Sequence, residues 1–203
     1  MTALLALVLH PEIQRRAQTE IDRVVGRSRL PAFGDRASLP YVGAIVRECL
    51  RWHHAAPLSA TREVVEDDVY DGMFIPKGAH IFPNLWAITH DARIYADPHD
   101  FNPERFLMKD GTLNSDESKT TFGYGRRICI GQHLADANVW IIVANFLAIY
   151  EISKAKDVDG NEIPIDASFS SGFISHPAPF KCSIRPRDSE AETLIQSLRN
   201  SSA

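Results

Sequence analysis

Cysteine is scarce in this chain: three residues, Cys49, Cys129 and Cys182, stand far apart in 203 positions. An odd number at such wide spacing excludes both a disulfide framework and a four-thiolate zinc or iron–sulfur site, and it fits a reducing compartment. There is no excess of one charge either. The formal net charge of -4 gives no electrostatic case for nucleic acid or an anionic membrane as partner, although the basic pairs Arg15-Arg16 and Arg126-Arg127 occur locally. No apolar run reaches the roughly 20 residues of a membrane span. Met1 to Leu9 is apolar but lacks the basic region and cleavage site of a signal peptide. Internal repeats are absent. What remains is an ordinary globular composition, 44% hydrophobic, sized for one domain or two small ones.

Taken in order, Met1 to Leu9 reads as the tail of a helix with nothing obvious to bury against, which raises the expectation of a truncated N-terminus. His10-Pro11-Glu12 starts a second helix whose stripe is Ile13, Ala17, Ile21, Val24 and Val25, ended by Gly26. A loop follows to Leu39, and Pro40 opens a third helix through Trp52 with Val42, Ile45, Val46 and Cys49 as its stripe. Glu48 and Arg51 are neighbours on one face of it, and taken alone they read as an exposed helix pair. From Pro57 to Asn84 the pattern turns to β: a strand at Arg62, then a hairpin over Val69–Ile75 and Ala79–Phe82 turning at Pro76-Lys-Gly. Leu85 to Thr89 reads as a short helix, Asp97 to Phe106 as a packed coil and Lys109 to Thr120 as a polar loop. Gln132 to Tyr150 reads as a helix apolar all round at Val139 to Ala144, hence buried. Short strands are expected over Glu151 to Arg185, and a polar tail from Asp188 to Ala203.

The chemistry concentrates in Phe122-Gly-Tyr-Gly-Arg-Arg-Ile-Cys-Ile-Gly131, a glycine-rich, doubly basic loop that leads into the long apolar helix. Arg126, Arg127 and the helix dipole place Cys129 in the positive potential that suits a metal-binding thiolate. Gly125 and Gly131 allow positive φ and close approach to a flat ligand, and Phe122 can cover the sulfur with a ring. Gly123 and Gly125 do not make a phosphate loop, since no Gly-Lys-Ser/Thr follows. Cys49 and Cys182 lie in apolar patterns and read as small core or strand residues. His53 and His54 are adjacent, point apart on a helix and have no ligand spacing around them.

Three patterns stand in one order: Glu48-x-x-Arg51, Pro103-Glu-Arg-Phe106, and Phe122-x-x-Gly125-x-Arg127-x-Cys129-x-Gly131 followed by Leu134-Ala135. Together they resemble the cytochrome P-450 family of haem-thiolate monooxygenases, over nearly the whole chain. The start, His10-Pro-Glu-Ile-Gln with Ala17-Gln-Thr-Glu-Ile-Asp22, is similar to eukaryotic microsomal members. The sequence departs from the common pattern at His54 and Ala60, where many members carry proline, and at Asn138, where an acidic residue is frequent.

The resemblance implies an α+β, mainly helical fold with small antiparallel sheets, the C-terminal haem-proximal part of the family's fold over residues 1–187, with 188–203 as tail. It implies haem b as cofactor, with Cys129 as the axial ligand whose electron donation matters for oxygen chemistry. Backbone amides near Ile130 and Gly131 would tune the thiolate. Arg127 and Arg62 match positions that pair with haem propionates. Glu48, Arg51 and Arg105 match a buried structural triad. Ala55 to Ser59 and Phe169 to Ser175 would line a pocket for a small hydrophobic substrate. The implied partner is an NADPH-dependent reductase, at the cytoplasmic side of the endoplasmic reticulum membrane for an intact member. The distal oxygen-activating helix, an earlier helix with a tryptophan–arginine propionate site, most of the substrate pocket and the membrane anchor have no counterpart in these residues, so the chain is expected to be part of a longer enzyme. The alternative is a non-catalytic haem-binding or misfolded remnant.

Overall fold

The computed structural model describes residues 1–201. Helices α1 (Thr2–Leu9), α2 (Pro11–Val24), α3 (Pro40–Trp52) and α5 (Gln132–Ile149) converge on one core, and α4 (Leu85–Thr89) and α6 (Ser189–Ser201) lie outside it. Their boundaries follow local chemistry. Pro11 and Pro40 occupy first-turn positions, where a missing N–H costs nothing, and Gly26, at φ 80, takes the chain out of the turn that ends α2.

The α2 stripe is buried at Ile13, Ala17 and Ile21, and the α3 stripe at Val42, Ile45, Val46 and Cys49. The first helix differs from expectation: Leu5, Ala6, Leu7 and Val8 are all buried, because α1 is enclosed by α2, α3 and the strand that follows α5. Each buried leucine or valine side chain contributes about 1.5–3 kcal/mol on leaving water.

Polar side chains splice these elements together. Gln14 donates from Nε2 to the Ile152 carbonyl at 3.1 Å and accepts the Ile152 amide at 2.8 Å, so an α2 side chain serves as a pairing partner for strand β5 (Tyr150–Lys154). Gln18 donates to the Tyr150 carbonyl at 3.1 Å. Glu20 accepts the amides of Tyr41 and Val42 at 2.9 and 3.0 Å, satisfying two orphan donors at the start of α3. Burial raises the Glu20 carboxyl above its ordinary range, against these hydrogen bonds and the nearby Arg23 and Arg16.

The β segments form three two-stranded antiparallel sheets. Strand β1 (Arg62–Glu63) pairs with β4 (His80–Ile81), and between them β2 (Asp68–Tyr70) pairs with β3 (Met73–Ile75). The expected hairpin over Val69–Phe82 is therefore two nested pairs. The tight turn falls at Asp71-Gly72, both at positive φ, while Pro76-Lys77-Gly78 leads β4 back onto β1. Strand β5 pairs with β6 (Cys182–Pro186) in register from Tyr150–Pro186 to Lys154–Cys182.

Two further expectations are corrected. Helix α5 is not buried all round: Trp140, Val143, Ala144 and Leu147 face the core, whereas Leu134 and Ile142 are exposed. The segment expected as a polar tail is helical from Ser189 to Ser201; Asp188 accepts the amides of Glu190 and Ala191 at its start, and Ala191 is buried. Among the described residues no helix is long and apolar enough to cross a membrane.

Candidate functional site

The cysteine loop is built from two short 3-10 turns, Lys119–Phe122 and Gly125–Arg127, ahead of α5. The Cys129 amide donates to the Phe122 carbonyl at 2.8 Å, the Ile128 amide to Gly125 at 3.1 Å and the Gln132 amide to Cys129 at 3.2 Å. These bonds close the loop on itself and hand it to the N-terminus of α5 within one turn of the cysteine. Gly123 and Gly125 sit at φ 82 and 60, a region that other residues enter only at a cost, so both ease the backbone reversal. Gly131 does not use this freedom. It caps α5 at φ -86, and a Cβ there would lie 3.8 Å from the Cys129 sulfur, in ordinary contact.

Cys129 is exposed, as are Arg126, Arg127 and Ile130. Arg62, distant in sequence, is brought to the loop: its Nη2 donates to the Arg127 carbonyl at 3.2 Å and lies 3.7 Å from where a Cβ on Gly123 would stand. Two guanidinium-bearing residues thus meet beside the thiol. Phe122 is half-buried and, with Gln132, His133, Asp136, Arg36 and Arg47, borders a cleft of about 250 Å³ behind the loop. Arg36 and Asp136 close one side of it with an ion pair at 2.7 Å.

The charged pair that reads as a surface pair when taken alone, and as part of a buried triad by the resemblance, lies inside the protein. Glu48 and Arg51 are fully buried, joined by two bonds at 2.7 and 2.8 Å, and Arg105 reaches Glu48 at 3.2 Å. Arg51 spends its remaining donors on the carbonyls of Thr89, Pro98 and Asp100, at 2.9, 2.8 and 3.3 Å. Glu48 also accepts the Asn102 amide at 2.8 Å. All five Arg51 protons and both Glu48 oxygens find a partner, the condition for keeping an ion pair out of water. The pair therefore fastens the coil 96–106 to α3.

The two segments with candidate pocket roles also meet: the Ser175 amide donates to the Ala55 carbonyl at 2.8 Å, and Phe169 stacks on His53 at 3.4 Å between ring centres. Leu58, Phe173 and Ile174 are exposed there. His53 and His54 lie just beyond the end of α3, not on it. His53 bonds Ser175 Oγ at 2.7 Å, and burial pushes its imidazole down to about 4. His54 bonds Thr89 and Thr121, a junction that its isolated position in the sequence does not announce.

The donor set fits a single-ligand haem site. Among the described residues no three His, Cys, Asp or Glu side chains gather at metal-binding distances, so a chelated ion has no cage, whereas one exposed soft thiol in a loop that carries exposed arginines and the exposed apolar Ile130 suits a flat, dianionic, thiolate-bound macrocycle.

Comparison with known proteins agrees in scope. The family model "Cytochrome P450" matches residues 1–184. Cytochrome P450 monooxygenase claR of Ampulloclitocybe clavipes is 49% identical over 193 residues, covering 95% of this chain and 36% of the relative. Cytochrome P450 monooxygenase 208 of Postia placenta is 48% identical over 198 residues, covering 97% and 38%. A cytochrome P450 monooxygenase of Armillaria gallica is 46% identical over 194 residues, covering 96% and 38%. The chain spans less than two fifths of the length of these three relatives.

Proposed function

The chain belongs to the cytochrome P450 family, whose members carry haem, and we propose that its cysteine loop binds haem b with Cys129 as the axial ligand. The observation that carries this reading is the convergence at one exposed thiol of a self-bonded glycine loop, the α5 N-terminus and the Arg62–Arg127 contact. When bound, the haem supplies the one-electron and oxygen chemistry.

The chain's own residues position and bind. The Phe122 carbonyl fixes the Cys129 backbone, the α5 dipole favours negative charge on sulfur, and Arg62 and Arg127 offer planar donors to the cofactor's carboxylates. Phe122 packs behind the loop, Gly125 eases its turn, and Gly131 caps α5 beside the sulfur. Arg51, Glu48 and Arg105 hold the supporting coil.

In the whole protein this site would serve a monooxygenase that inserts oxygen into a small hydrophobic substrate, with electrons delivered from NADPH through a reductase. The exposed apolar Leu58, Phe173 and Ile174 beside the Ala55–Ser175 contact support a hydrophobic substrate. The reading includes residence of the intact enzyme at the cytoplasmic face of the endoplasmic reticulum, and a chain that is one part of that enzyme.

The test is the visible spectrum of the reduced, carbon-monoxide-bound haem complex of the chain and of Cys129→Ala. The thiolate signature is expected in the first and absent in the second; its persistence in Cys129→Ala would overturn the assignment.

A further inference from the structure

We propose that His54 is a positioning residue for the cysteine loop, spanning from Thr89 at the end of α4 to Thr121 at the foot of the loop. Its imidazole is buried, with Nε2 at 2.8 Å from Thr89 Oγ1 and Nδ1 at 3.0 Å from Thr121 Oγ1. Bonds on both edges of one ring fix its tilt and set the separation of the two threonines.

Each threonine is anchored in turn. Thr121 Oγ1 lies 3.1 Å from the Leu50 carbonyl in the last turn of α3, and Thr89 Oγ1 lies 3.1 Å from the Leu85 carbonyl, each within donating reach. The Thr89 carbonyl accepts from Arg51. The chain of contacts therefore runs from the buried Glu48–Arg51 pair through Thr89 and His54 to Thr121, and Thr121 adjoins Phe122, whose carbonyl holds the Cys129 amide.

The bookkeeping of protons makes the arrangement specific. A neutral imidazole has one donor and one acceptor, and each hydroxyl has one proton. If Thr121 donates to Leu50, it accepts Nδ1–H and Thr89 donates to Nε2; with the ring in its other tautomer, Thr89 donates to Leu85 and Thr121 to Nδ1. Both ring nitrogens have a threonine partner either way. Desolvation by burial, with smaller contributions from His90, His53 and Arg51, pushes the imidazole down to about 4 and keeps it neutral. A leucine of similar bulk would fill the space and release the loop.

Hydrogen exchange of the full 203-residue chain, read by mass spectrometry, tests this without any cofactor. In His54→Leu and Thr121→Val, amides over residues 120–131 are expected to exchange about tenfold faster, with α2 unchanged; Thr89→Val should loosen α4 more than the loop. His54→Asn, which still offers a donor and an acceptor, should restore most of the protection. Exchange over 120–131 at the parent rate in both His54→Leu and Thr121→Val would overturn the proposal, and so would acceleration spread evenly over the chain. Should His54→Leu fail to fold, Thr121→Val decides.

A second readout rests on the reading of Cys129 as haem ligand: with added haemin, the thiolate fraction of the reduced carbon-monoxide spectrum should fall in His54→Leu and recover in His54→Asn. If the parent chain itself gives no thiolate signature, that reading fails while the exchange result still decides the role of His54.

Discussion

At the residue scale, Arg51 and His54 carry charge or polarity where water is excluded, and each has a measurable signature. Arg51→Ala would strand the buried Glu48 carboxylate together with the carbonyls of Thr89 and Pro98. The expected cost is about 3–5 kcal/mol, read as a lower urea midpoint. Lysine should not rescue it, because one ammonium cannot reproduce the paired bonds to both carboxylate oxygens.

His54 gives a pH signature. Its folded imidazole titrates at about 4, below the ordinary 6.5, so the unfolded chain binds the proton more readily. Stability is then full above about pH 6.5, falls as pH drops towards 4 and levels off below it, by on the order of 3 kcal/mol for this group. Urea unfolding at a series of pH values should show that slope reduced in His54→Asn relative to the parent chain. The cysteines separate by place: burial pushes the Cys49 thiol up to about 12, while Cys129 is exposed.

At the element scale, helix identity follows the apolar period, and α2, α3 and α5 start and stop close to where proline, glycine and stripe place them. Strand pairing does not follow the same way. Residues 62–82 contain four short strands, and their alternation shows β structure without saying that β1 passes over the hairpin to pair with β4. The junction of α2 with β5 was equally invisible, because Gln14 looks like one more polar residue on an amphipathic helix. Gln14→Leu is expected to destabilise by about 2–3 kcal/mol, since both the amide and the carbonyl of Ile152 would lose their partner. Gln14→Glu should cost at least as much, because it keeps the acceptor but places a charge among apolar neighbours. Chemical denaturation of the two variants checks the order.

At the scale of the whole molecule, the core built by α1, α2, α3 and α5 supports one wall of a site and leaves another face bare. Leu134 and Ile142 on α5, and Ile130 beside the thiol, stand in solvent. A cofactor reaction of the proposed kind needs water excluded from both faces of the ring. The purified chain with haemin, NADPH and a reductase is therefore expected to show no substrate hydroxylation above the haemin control. Product formation that depends on Cys129 would contradict this. The same chain should still show the thiolate spectrum, so ligand binding and turnover are separable in one preparation.

The sequence by itself determined the loop, its thiol and most helix positions, because these rest on local rules: glycines where the backbone reverses, proline in a first turn, apolar residues at helical period. It also carried the three ordered motifs, which span the chain from Glu48 to Gly131. Only the tertiary structure decided what depends on distant partners: which carbonyls and amides the Glu48–Arg51 pair bonds, that α1 belongs to the core, that Arg62 reaches the Arg127 carbonyl across 65 positions, and that His54 meets Thr121 across 67. The physical reason is shared. A charge or a polar atom is tolerable inside only when its partners converge from elsewhere in the chain, and that convergence is set by packing, which no local window of sequence contains.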